Sequence, residues 1–158
     1  MIRIEVAALI AALAVVAPAG RPTAQEAPAP RAQQKARHDH YHELGKAFKV
    51  IHDQARAPSP DFAAIKTAAQ FVSDASIDQG KWFPQGTGPE AGKTRALPKI
   101  WMKPEDFAAA QKLLADGAPA LLAAANAGDI EAVRTGFATV GKACKNCHDN
   151  FRSPEDDD

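Results

Sequence analysis

Cys144, Cys147 and His148 form the run Cys-Lys-Asn-Cys-His, ten residues short of the C-terminus, and the chain has no other cysteine. Two thiols at i and i+3 lie on one face of a helix, spaced to add across the two vinyl groups of one haem. The histidine after the second thiol then comes under the iron, where one imidazole nitrogen serves as an axial ligand. The chemistry this predicts is covalent attachment of a single haem c, with His148 as the metal ligand. Three other uses of the same residue types compete with it. A redox Cys-x-x-Cys is expected where a helix follows a strand, and no strand pattern precedes Cys144. A zinc site needs a second pair of Cys or His ligands at matching spacing, and there is no further Cys to give. A disulfide between cysteines three apart inside a helical pattern has poor bridge geometry.

Four helices must position these groups. From about Arg37 onward apolar residues recur at helical spacing and period-two alternation is nowhere sustained, so the class is all-α. Tyr41, Leu44, Phe48, Ile51 and Ala55 form one stripe on a helix over about 33–56, stopped by Pro58 and Pro60. Phe62, Ile65, Ala69 and Val72 mark a second helix that starts near Asp61 and fades at Gln79 and Gly80. Residues 80–103 are rich in Gly and Pro yet hold Trp82, Phe83 and Trp101, which predicts a long crossover pinned by aromatic side chains. A third helix starts at Pro104, with Glu105 and Asp106 suiting its dipole, and a bend is expected at Pro119. The fourth follows Gly128 with Asp129 as N-cap, and its stripe of Ile130, Val133, Phe137, Val140, Cys144, Cys147 and Phe151 puts both cysteines on the buried side. An antiparallel four-helix bundle with covalently attached haem follows.

The N-terminus indicates a compartment. A short basic start, an apolar run over 6–17 and the small-x-small Ala17-Pro18-Ala19 read as a secretory signal peptide over residues 1–19, with a second, less ideal cut after Ala24. The apolar run is shorter than the roughly 20 residues of a spanning helix, although an uncleaved anchor is the competing reading. Export predicts the periplasm, where c-type haem is attached. Residues 20–34 read as a flexible leader, 35–153 as the haem domain and 154–158 as an acidic tail. Nineteen Lys and Arg balance nineteen Asp and Glu. Losing the signal removes Arg3 and Glu5 together, so the mature charge stays near zero and neither nucleic acid nor an anionic membrane is expected as a partner.

The export signal, the four helices and a haem motif at the end of the last helix together resemble the class II c-type cytochromes, the cytochrome c′ family. The likeness extends through Val140–Arg152, Leu97-Pro98-Lys99-Ile100-Trp101, Phe107, Phe83-Pro84-Gln85-Gly86-Thr87-Gly88, and Arg37 with Gly45 and Phe48. It implies His148 as proximal ligand, Arg152 near the proximal imidazole, Arg37 near a haem propionate, and a homodimer through the first two helices. For each arginine an ordinary solvated helix position competes with that role.

The same resemblance places the residue four after the first-helix arginine on the distal face, and here that residue is Tyr41. Low-spin electron carriers of the class resemble one another in having Met there. Beyond the signal the only methionine is Met102, outside the first helix. His38 shares Tyr41's side of the helix and is the one histidine candidate for a sixth ligand, against the simpler reading of a solvent-facing residue. Neutral phenol is a poor iron ligand, so Tyr41 is expected to wall the distal side and donate to a bound diatomic gas, or simply to pack on the haem edge. The leading expectation is a five-coordinate, non-enzymatic periplasmic cytochrome that binds NO or CO and exchanges electrons with periplasmic redox partners. The alternative is a six-coordinate low-spin electron carrier.

Overall fold

The computed structural model describes residues 28–154. The signal peptide, most of the leader and the acidic tail beyond Pro154 lie outside the described residues. Five α-helices follow one another: α1 (Pro30–Arg56), α2 (Phe62–Asp78), the single turn α3 (Lys99–Met102), α4 (Pro104–Ala127) and α5 (Ile130–Phe151). Two short 3-10 turns, Gln79–Trp82 and Pro89–Ala91, lie in the crossover between α2 and α3. Among the described residues the only β pairing is an isolated bridge between Ala96 and Arg152.

Local chemistry sets most of the helix ends. Ala57, which precedes Pro58, is forced into extended backbone (ψ 144°) and ends α1. The Asp61 carboxylate caps α2, accepting from the amides of Ala63 and Ala64 at 2.9 and 3.1 Å. Asp129 does the same for α5, accepting from Glu131 and Ala132 at 3.0 Å each. Gly128, at φ 70°, closes α4 in the left-handed conformation that a side chain would strain. Between those ends α4 runs on through Pro119 as one helix.

The start of α1 departs from expectation. Residues 30–34, read from their composition as the end of a flexible leader, are the first turn of the helix. Distant contacts hold them: Arg31 Nε donates to Ala91 O at 3.1 Å and Gln34 Nε2 to Gly88 O at 2.7 Å. Those acceptors belong to the crossover, far along the chain, and the local signal is limited to Pro30 at the first helical position, with no capping side chain.

Around the bundle, α1 packs on α2, α2 on α4 and α4 on α5, while α1 and α5 meet along the least-contacted seam. Gly136 lets α5 approach α4 closely, since a Cβ there would lie 2.9 Å from Leu121 Cα. Ile51, Ile65, Val72, Leu121, Val133 and Val140 form the centre of the main core, each nearly or fully inaccessible. Burial of such side chains contributes about 1.5–3 kcal/mol apiece. A second, aromatic cluster of Ile100, Phe107, Ala110 and Phe151 lies between the crossover and the ends of α4 and α5.

Candidate functional site

The seam between α1 and α5 is antiparallel in register. At one level Phe48 stacks on Phe137 with ring centroids 4.1 Å apart. One to two turns further, Tyr41 of α1 comes within electrostatic reach of Cys147 and Cys144 of α5. Both cysteines are free thiols and half-buried. Cys144 packs against the main core and Cys147 against the aromatic cluster, so the pair stands at the junction of the two. Burial raises both thiols, that of Cys147 to about 11. The arrangement fits a flat apolar group inserted along this seam: sulfurs three residues apart on its edge, aromatic walls around it, and a helix pair that is not tightly closed.

His148 is the next residue round the helix. Burial lowers its imidazole pKa, and the charges of Arg152 and Arg95 push in the same direction, leaving a neutral nitrogen free to ligate. Arg152 is therefore close to His148, as the i+4 spacing implied. Arg95 joins it from the crossover and was not foreseen, because only the chain's return brings it there. Its guanidinium donates to Ser153 O at 3.0 and 2.7 Å, and Ser153 N donates back to Arg95 O at 2.8 Å. With Leu97 N donating to Phe151 O at 3.0 Å, this ties the end of α5 to the crossover.

Arg37 is buried. Its guanidinium donates to Trp82 O, Thr87 Oγ1, Thr87 O and Thr94 Oγ1 at 2.9–3.3 Å. It also lies over the rings of Phe83 and Trp101, 4.8 and 5.7 Å from their centroids. Burial lowers its pKa, while Tyr41 and Glu90 oppose that shift. The solvated-helix reading of this residue is overturned. Arg37 holds the crossover against α1, and the neutral acceptors around it leave its charge without a bonded anion on those atoms.

Tyr41 packs edge-on against Trp82 at 5.0 Å and its hydroxyl donates to Gln79 Oε1 at 3.4 Å. Gln79 is itself buried, its Nε2 donating to Ser76 O and Gln111 O at 3.2 Å each. Burial raises the Tyr41 pKa well above that of free phenol, with the nearby thiols adding to the rise and Arg37 opposing it. Tyr41 is thus held as a neutral phenol. No sequence signal pointed to Gln79 or Thr94, and Thr87 lay in a run noted only for its family likeness; all three are polar residues whose partners come from other elements.

His38 does not join this group. Its side chain is 78% exposed and turned toward Asp39, and its ring stacks on that of His42. His40 stacks on Trp82 at 4.7 Å. Met102 is 78% exposed at the end of α3.

Comparison with known proteins adds to this geometry. A family model described as Cytochrome C' matches residues 32–152. Cytochrome c' of Alcaligenes xylosoxydans xylosoxydans is 34% identical over 109 residues, covering 69% of this chain and 80% of that protein. Among solved structures, the nitric oxide complex of a point mutant of cytochrome c prime from Alcaligenes xylosoxidans superposes with a TM-score of 0.70 at 30% identity. That match covers 82% of this chain and all of the other. A cytochrome c' described as having an unusual ligand-controlled dimer dissociation superposes with a TM-score of 0.75 at 27% identity, covering 81% of this chain and 99% of that one.

Proposed function

The chain belongs to the cytochrome c′ family, and from that premise we propose a five-coordinate periplasmic cytochrome that binds NO or CO on the Tyr41 side and carries single electrons. One haem c is held covalently through Cys144 and Cys147. When bound, haem c supplies an iron centre able to exchange an electron and to take up a diatomic gas. The remaining chemistry belongs to the chain. His148 would offer an imidazole nitrogen to the iron, and burial first, then the charges of Arg152 and Arg95, favour its neutral form. Arg37, a buried guanidinium bonded only to neutral oxygens on the crossover, suits a haem propionate as its counter-charge.

The observation that carries the five-coordinate reading is the identity and state of Tyr41. It is a phenol kept protonated by burial, a poor ligand in that form, while His38 and His42 face solvent and His40 lies on Trp82. Its hydroxyl partner, Gln79, is a neutral amide and not a base, so the pair lacks a proton shuttle, and the hydroxyl would have to leave this long hydrogen bond to donate to a bound gas. This supports binding over catalysis. A homodimer through α1 and α2 is part of the same reading, supported by Val50, Phe71 and Ile77, apolar residues of those helices that are 39%, 40% and 72% exposed.

The test is an absorption spectrum of purified holoprotein, ferric and ferrous, before and after adding CO and NO. High-spin bands and ready gas binding are expected, with His38→Ala spectrally unchanged. Low-spin bands that resist both gases, and that shift in His38→Ala, would establish the six-coordinate electron carrier instead. Light scattering with and without CO reads the oligomeric state.

A further inference from the structure

On the solvent face of α1, the geometry points to a second metal site, in which His38 and His42 together bind one imidazole-preferring divalent ion, Cu²⁺ most tightly. The two residues are one helical turn apart, the i,i+4 spacing that sets a pair of histidines on one helix face to share a metal. Their rings are already parallel, 11° between planes, with centroids 6.1 Å apart.

The carboxylates beside them favour the ligating form. His38 Nδ1 lies 3.6 Å from Asp39 Oδ1, and His42 Nδ1 lies 4.0 Å from Glu43 Oε1. Each pair places a carboxylate on the Nδ1 side of the ring, which favours the proton on that nitrogen and leaves Nε2 as the donor. Lys35 and Lys46 are bonded to the same carboxylates, at 2.5 Å to Asp39 and 2.8 Å to Glu43, so their charges are anchored beside the acids.

Both imidazoles would sit about 2.0–2.1 Å from one ion, which requires the rings to close from their present separation. Nothing encloses them against that rotation: the side chains are 78% and 63% exposed. Among the described residues no group of three or more His, Cys, Asp or Glu gathers to hold a metal. The pair therefore leaves the remaining coordination positions to water. Two imidazoles with open positions suit Cu²⁺, which also heads the divalent affinity order. The other histidines of α1 do not compete as chelators. His40 lies flat on Trp82, and His52 stands alone beside Asp53 and the Phe137 ring. The inference uses neither the seam nor His148, but it rests on the five-coordinate reading in one respect, that His38 is not the sixth ligand of the haem.

Titration of the intact holoprotein with CuSO₄, followed by calorimetry and by electron paramagnetic resonance, tests it. One ion per chain is expected, with the hyperfine pattern of two imidazole nitrogens and an unchanged haem absorption spectrum. His38→Ala and His42→Ala should each weaken binding about 10- to 100-fold, the loss when two tethered donors become one. His40→Ala should leave it unchanged. Binding that is absent at micromolar ion, that shows a single nitrogen, or that falls equally in His40→Ala would overturn the site.

Discussion

Tyr41 combines a buried phenol with a neighbouring guanidinium, and the burial prevails. Its pKa in the folded chain lies above the value near 10 of the unfolded chain. A group raised on folding stabilises fully below its unfolded value, and that contribution is lost as pH climbs from there toward the folded value. Once the thiols are thioethers they carry no charge, and burial alone sustains the shift. Holoprotein should therefore lose stability above pH 10 by about 1.4 kcal/mol per pH unit more than Tyr41→Phe. Urea unfolding of both at pH 9 and pH 11 gives the comparison, and parallel losses would show that the phenol ionises freely. Arg37 works in the other direction, as a charge retained because the crossover wraps it in acceptors. Arg37→Met should cost about 2–4 kcal/mol in urea unfolding, because Thr87 O and Trp82 O lose a charged donor inside the fold. Arg37→Lys should recover less than half, since a lysine cannot span acceptors that the planar fork reaches together. The position of Tyr41, four residues after Arg37, was legible by counting along one helix. Gln79 and Arg95 were not, because each meets its partner only after the chain has turned back.

At the scale of elements, the helices that begin with a capping aspartate, or with a proline followed by acidic residues, were the readable ones. Asp61, Pro104 and Asp129 carry their start signals in adjacent residues, and α2, α4 and α5 begin beside them. The first turn of α1 has no side-chain cap, and its stability comes from crossover carbonyls held by Arg31, Gln34 and Arg37. Composition alone therefore assigned it to the leader. The turn α3 and the two 3-10 segments were likewise hidden inside a stretch readable only as a pinned loop. Two glycines separate packing from propensity. Gly136→Ala drives a methyl into Leu121 of α4 and should destabilise by about 1–3 kcal/mol. Gly45→Ala, on the exposed face of α1 with nothing within 4 Å of the new Cβ, should stabilise by roughly 0.5–1 kcal/mol. Thermal unfolding of the two variants reads opposite signs if α4 and α5 truly meet at Gly136.

For the whole molecule, the all-α class and the bundle followed from periodicity, because each stripe could be buried only against another helix. Periodicity says nothing of which pair packs least, and Cys144 and Cys147 stand beside Tyr41 at that seam, between α1 and α5. A haem held there would stay on the chain when it unfolds, so its contribution to stability would come from the apolar surface it buries on folding. A Cys144→Ser, Cys147→Ser double variant should lose covalent haem and melt about 10 °C or more below the holoprotein, a loss of a few kcal/mol for a domain of this size. Equal melting temperatures would mean that the two apolar clusters close without the group.

The tie between α5 and the crossover also sets an order of release. A helix end normally exchanges its amide protons early, since its last turn has nothing beyond it to hold. Here Ser153 N is engaged by Arg95 O, Arg152 N by His148 O and Leu97 N by Phe151 O. Deuterium uptake at Leu97, Arg152 and Ser153 should accordingly be slow and should rise together, as one cooperative opening. The cysteine-bearing end of α5, a helix terminus that would ordinarily fray first, would be among the last of the described residues to come loose.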